Sequence, residues 1–366
     1  MRSARGIGQP VISRTDRSPP VQSRLGRRAV VGFGVVGTLA VVGTAGSCGP
    51  DPDPSKTGEP AVTAVDVRLD RGIPGTWEIV AGGVGPAPGQ FNGPAGIAIG
   101  ADGSILVAEH GNHRVQRFSA SGLPVAEWGR KGSGPAEFVN PYGIAIGADG
   151  RIFVADRGNN RVQLFSPTGK PLAEWGRAGK DPGQFLAPEG LALDQSGNVY
   201  VGEYGNNRVQ KLAASGDPVA SWGATGGRGG AGPGEFNWPV GFAIEPSGSL
   251  VIADWGNDRI QRISAAGAPM SQWGRKGTLA GEFGNPNGVA IDPSGRIWVT
   301  EYSNCRVQVL SPEGRPLAQF SATGMRPGKG VGEFTYPRGI AIDAGGAVYV
   351  TEFGNNRIQR FTPARV

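Results

Sequence analysis

Short apolar runs recur on a fixed beat from Phe91 to the end of the chain. In one unit, Ile144-Ala145-Ile146, Ile152-Phe153-Val154-Ala155, Val162-Gln163-Leu164-Phe165 and Leu172-Ala173-Glu174-Trp175 are separated by polar clusters of Gly, Asn, Asp and Pro. No segment sustains a helical period. Short β-rich runs about 10 residues apart, with turn residues between them, predict hairpin-linked antiparallel strands. The same order of parts returns six times. Each unit opens on Phe-x-x-Pro-x-Gly, as in Phe138, Pro141 and Gly143. Each carries a turn of the type Gly111-Asn112-His113-Arg114-Val115-Gln116, and the six arginines of these turns lie 47, 47, 51, 47 and 51 residues apart.

A fixed period of this size signals a repeat architecture. Four-stranded units repeated radially make a β-propeller. The fold class expected is therefore all-β: a six-bladed β-propeller of four-stranded antiparallel blades. The two longer intervals fall before Phe236 and Phe334, between blades, where loops tolerate a change of length. Trp128, Trp175, Trp222 and Trp273 end the fourth run of units one to four, and Phe320 takes that place in unit five. Unit six stops after Phe361 without a fourth run. An orphan strand, Thr76 to Gly82, stands upstream of unit one. Residues 75–82 are predicted to supply the missing outer strand and close the ring, leaving no blade unpaired.

The chain before the repeats divides in two. Residues 1–28 are polar and Arg-rich, and residues 29–47 are uncharged with five glycines. A basic segment, a short apolar stretch and a small-residue exit describe an export signal over 1–47. Arg27-Arg28 directly before the apolar stretch resembles a twin-arginine signal. A retained membrane-spanning helix is the alternative reading of the same stretch. Ala45-Gly46-Ser47-Cys48 resembles a bacterial lipobox, which makes Cys48 the expected lipidation site. Cleavage after Ser47 is the competing reading. Residues 48–74 begin Pro-rich and polar and read as a disordered tether. An exported protein of the cell envelope, membrane-tethered or secreted, is expected.

Charge changes the picture once the leader is set aside. Residues 1–47 hold seven arginines and one aspartate, leaving 29 basic and 29 acidic residues in 48–366. The basic balance belongs to the leader. A neutral repeat domain has no general electrostatic reason to bind nucleic acid, and no nucleic-acid partner is expected. A monomer is expected.

The Asn112-His113-Arg114-Val115-Gln116 run and its five copies resemble the Asn-His-Leu-type core of the NHL-repeat family of β-propellers, over about residues 75–366. The resemblance implies the propeller fold. It leaves function open, because members and related six-bladed propellers include amidating lyases, RNA- and protein-binding domains, sensor domains, gluconolactonase-like enzymes and streptogramin lyases.

Six-fold recurrence separates scaffold from candidate site. Glu109, Asp156, Glu203, Asp254, Glu301 and Glu352 precede each turn, and an arginine follows each. A catalytic group is needed once, so these pairs read as structural; exposed, each contributes ~0–1 kcal/mol. The residue after each acid varies: His110, Arg157, Tyr204, Trp255, Tyr302 and Phe353. A second variable set follows each proline, including Tyr142, Glu189, Asn287 and Arg338, with Asn140, Trp238 and Tyr336 just ahead of three of the prolines. Both sets are expected on one face, around the mouth of the central channel. Exposed aromatic residues clustered there mark a binding face. The alternative is that some rings merely pack on neighbouring blades. The function expected is a non-enzymatic binding or interaction scaffold for a protein, peptide or glycan. A lyase or lactonase with its site at the same mouth is the alternative.

Only His110 and His113 are histidines. Their spacing with Glu109 reads as incidental to metal binding, so no metal and no cofactor are expected, and no catalytic residue is assigned. No Gly-rich phosphate cradle follows a strand-to-helix pattern.

Overall fold

The computed structural model describes residues 65–66, 73–322 and 324–364. The expected export signal and Cys48 lie outside the described residues. Among the described residues no helix is long and apolar enough to cross a membrane.

Six antiparallel sheets form a ring in which the innermost strands of neighbouring blades touch, the last meeting the first. The first blade runs outward through Pro94–Ile99, Ile105–Glu109, Arg114–Phe118 and Pro124–Trp128. Blades two to five repeat this order. The sixth holds Pro337–Ile342, Val348–Glu352 and Arg357–Pro363, with Gly75–Gly82 as its outer strand. Trp77 pairs with Phe361. Its buried ring lies 5.4 Å from Phe320, 5.1 Å from Phe334 and 5.3 Å from Phe361, centroid to centroid. A further short strand, Val65–Asp66, runs beside Thr76 and Trp77, inside the stretch expected to be tether.

The core lies between blades rather than within them. Leu106, Ala108 and Val115 of the first blade pack on Phe138, Ile144, Val154 and Phe165 of the second. A second strand sandwiched between two neighbouring blades hides both faces, so all six read as continuous apolar runs and are fully buried. The outer strands are largely exposed.

At the axis, the Pro-x-Gly signature has a steric cause. A Cβ on Gly143 would stand 2.0 Å from the Glu189 carbonyl oxygen, and one on Gly96 would stand 2.2 Å from that of Tyr142. Gly339 meets the Ala95 carbonyl of the first blade in the same way, at 2.4 Å. Only glycine lets the innermost strands approach this closely.

The acid–arginine pairs are buried, which corrects the estimate for exposed pairs. The Glu109 carboxylate accepts bonds from Arg114 Nε (2.5 Å), Gln116 Nε2 (2.8 Å), Asn112 Nδ2 (2.7 Å) and the Asn92 amide (3.0 Å). Arg114 reaches on to the carbonyls of Ala87 (3.2 Å) and Gln90 (2.9 Å), so the motif also pins the loop leading into its own blade. The last turn residue adopts positive φ, as at Asn160 (55°) and Asn356 (51°). Its side chain accepts a backbone N–H from the next blade: Asn160 from Ala187 at 2.8 Å, and Asn356 from Gly93 at 2.8 Å across the ring closure. The motif therefore fastens hairpin, loop and neighbouring blade together.

Candidate functional site at the channel mouth

The turn between the second and third strands folds back onto the start of the first. The amides of His110, Tyr204, Trp255, Tyr302 and Phe353 donate to the carbonyls of Gly93, Ala187, Trp238, Asn285 and Tyr336 respectively. This places both variable sets on one face, as the order of strands implied. The innermost strands bring Tyr142, Glu189 and Asn287 to the wall of the central channel.

The aromatic residues form a continuous arc. Tyr204 stacks on Trp238 (centroids 5.0 Å, 6° between planes), and Trp238 lies 5.7 Å from Trp255. Trp255 meets Tyr302 edge-on at 6.3 Å, and Tyr302 stacks on Tyr336 at 4.7 Å. The expected exposed rim is modified by this stacking. Trp238 is exposed at 37%, Tyr142 and Tyr336 are buried, and Tyr204, Trp255, Tyr302 and Phe353 are half-buried. Part of each ring packs on its neighbours, because bulky side chains on adjacent blades converge towards the axis.

The residue before each inner-strand proline has positive φ in every blade. Gly93, Asn140 and Asn285 suit that conformation; Ala187 (48°), Trp238 (58°) and Tyr336 (50°) do not, and the last two carry bulky rings. A bulky residue there stores about 1–3 kcal/mol of strain. The fold needs the backbone conformation but not the ring.

Charged and polar groups fill the rest of the mouth. Arg157 Nε donates to Glu189 at 2.5 Å, and the Arg157 guanidinium lies over Tyr204 at 5.4 Å. Burial pushes the Glu189 carboxyl up, and the Arg157 and Arg338 charges oppose that. Arg338 sits over Phe353 at 3.8 Å, and within 5.2 Å of Tyr142 and 5.3 Å of Tyr302. Tyr142 and Asn287 hydrogen-bond each other, with Asn287 Nδ2 donating to the phenol at 3.0 Å; burial raises the Tyr142 phenol to about 12. His110 packs edge-on to Phe353 at 5.9 Å. Asn140 Nδ2 lies 3.2 Å from His110 Nδ1 and donates to it, which leaves the proton of the neutral ring on Nε2. Burial, then the Arg338 and Arg157 charges, lower His110 to about 4.

Glu109, His110 and His113 do not converge. Glu109 is bound by Arg114 and Gln116, while His113 Nδ1 accepts the Asn140 amide at 3.0 Å. Among the described residues no group of three or more His, Cys, Asp or Glu is placed to hold a metal ion. Glu189 and Asn287, both on the channel wall, have different partners, Arg157 and Tyr142. Asn140 holds the same pre-proline place as Trp238 and Tyr336 and joins the mouth through its contact with His110.

A ring of antiparallel blades with repeated turn motifs and a variable, aromatic mouth defines the class: a repeat β-propeller. NHL repeats match residues 91–118, 138–165, 185–212, 283–310 and 334–361. The chain is an NHL-repeat β-propeller. The fourth blade lies outside the matched residues and keeps the same pairing, from Pro239–Asp254 through Asp254–Arg259. No curated protein matches the chain. A streptogramin B lyase structure superposes with a TM-score of 0.56 at 17% identity, covering 79% of this chain and 97% of that one. A gluconolactonase from Xanthomonas campestris gives 0.60 at 15%, covering 84% and 100%. A catalytically inactive virginiamycin B lyase from Staphylococcus aureus, with quinupristin, gives 0.54 at 19%, covering 75% and 82%. Identities this low establish a shared fold alone.

Proposed function

We propose that the protein is an exported, non-enzymatic binding module whose ligand, a protein, peptide or glycan, docks on the aromatic arc at the channel mouth. One observation carries this reading. Trp238 and Tyr336 hold strained positive φ values inside the arc, where Gly93, Asn140 and Asn285 serve three of the other blades and Ala187 serves the third blade without a large side chain. Strain of this kind persists where function requires the side chain. Stacked aromatic rings offer a large, rigid contact surface at little entropic cost. The test is binding to peptide and glycan arrays by the wild type and by the Trp255→Ala/Tyr302→Ala double variant. A discrete ligand class is expected to be captured by the wild type and lost in the variant, with the ring still folded by circular dichroism. Undiminished capture by the variant, or its unfolding, counts against the reading.

A second reading, a lyase or lactonase acting at the same mouth, is supported by His110, a neutral, half-buried imidazole beside two guanidinium groups. The similar solved structures include enzymes of both kinds. Turnover of a streptogramin B or of gluconolactone, lost in His110→Ala, would replace the binding reading. The exported location rests on residues 1–47 and Cys48. Fatty-acid labelling present in the wild type and absent in Cys48→Ala supports the tether, and an unlabelled wild type removes it.

A further inference from the structure

Arg338 is the residue the scaffold explains least. Its position after the inner-strand proline is held by Ala95, Tyr142, Glu189, Val240 and Asn287 in the other blades, so the fold does not require a cation there. Among the described residues, no carboxylate lies within ion-pair distance of it. Glu189 is engaged by Arg157 at 2.5 Å. Two guanidinium groups and one carboxylate, with a neutral histidine, leave the mouth with an excess positive charge. The Arg338 Nε is buried without a hydrogen-bond partner. A buried donor left unsatisfied, on a group that is also charged, calls for an explanation. Phe353, Tyr142 and Tyr302 surround the guanidinium and support its charge through their ring faces. The Tyr302 side chain also hydrogen-bonds the guanidinium, but none of the three rings carries a negative charge.

We infer that the ligand of this mouth carries a carboxylate that seats on the Arg338 guanidinium, and an aromatic ring that lies along the Tyr302–Trp255 side of the arc; this rests on the mouth being a ligand site. A planar carboxylate matches the guanidinium fork, which binds it through two parallel hydrogen bonds. The Tyr302 ring centre lies 5.3 Å from the Arg338 guanidinium and 6.3 Å from the Trp255 ring centre. An acid group and a ring joined by one or two carbons span that distance. A fully neutral ligand would leave the charge uncompensated, and a fully aliphatic acid would leave the arc unused.

The probe pair is indole-3-acetate and indole-3-acetamide, titrated calorimetrically into the full-length protein. They share ring and length and differ in charge. The acid is expected to bind about tenfold tighter than the amide, as a charge-assisted bidentate contact implies. Arg338→Gln should bring the two to equal affinity without lowering the melting temperature, and Trp255→Ala should weaken both in the same proportion. If Arg338→Gln fails to fold, Arg338→Lys keeps the charge without the fork and should lose most of the preference. Equal affinities in the wild type, or a preference that survives loss of Arg338, overturn the carboxylate assignment and leave the mouth as a binding face. Binding of neither probe also overturns it. The array experiment with the Trp255→Ala/Tyr302→Ala variant judges the mouth itself independently.

Discussion

The difference between a buried and an exposed ion pair decides what single residues do here. Arg306 and Glu301 meet at 2.5 Å with both side chains fully buried, and Glu301 also accepts bonds from Gln308 Nε2 and Asn304 Nδ2. Arg306→Ala strands that carboxylate, and about 3–5 kcal/mol of unfolding free energy should be lost in urea titration. Arg315 and Glu313 lie 3.6 Å apart with side chains 80% and 65% exposed, so Arg315→Ala should leave the urea midpoint nearly unchanged. His110 makes a pH prediction. Burial and the nearby guanidinium groups lower it to about 4 in the folded state, against roughly 6.5 in an unfolded chain. The unfolded chain therefore binds the proton first, and this residue's effect is a loss of stability as pH falls from about 6.5 to about 4. That loss is up to about 3 kcal/mol, and His110→Asn should shrink it in urea midpoints compared at pH 7 and pH 5. An unchanged pH dependence in the variant would refute the assignment.

Elements were legible where one physical requirement recurs. The strands, the Pro-x-Gly openings and the Asn-rich turns could be read because six copies expose their common spacing. Their reasons are spatial. The inner-strand glycines exist because neighbouring strands touch at the axis, and Gly143→Ala, whose Cβ would meet the Glu189 carbonyl at 2.0 Å, should produce little folded protein. A folded variant with a wild-type melting temperature would contradict the close approach. The turn motif was legible as scaffold from its recurrence. Its reach to the preceding loop and to the next blade was not, because these partners lie about 17 to 28 residues away and face it only after the blades assemble. The candidate site was half legible: both variable sets could be placed on one face, but not how their side chains pair.

At the scale of the whole molecule, closure is the decisive contact. Gly75–Gly82 completes the sixth blade, and Trp77 fills the space between Phe320 of the fifth blade and Phe361 of the sixth. Deleting residues 72–85 should lower the melting temperature sharply, because it opens an unpaired edge and uncovers this aromatic core; an unchanged melting temperature would sink the closure. Gly75 pairs with Pro363, beyond the first-to-second strand turn of the sixth blade, while Gly82 pairs with Arg357 beside the mouth turn. Gly75 and Pro363 thus lie at the far end of that blade from the mouth. Strand order, blade number and the division between repeated and variable positions follow from the chain alone, because a period and its exceptions are properties of a linear string. The burial of the acid–arginine pairs, the stacking of Tyr204, Trp238, Trp255, Tyr302 and Tyr336, and the seating of Arg338 among Phe353, Tyr142 and Tyr302 belong to the tertiary structure. Each depends on side chains from different blades meeting around one axis, and no spacing along the chain encodes those distances.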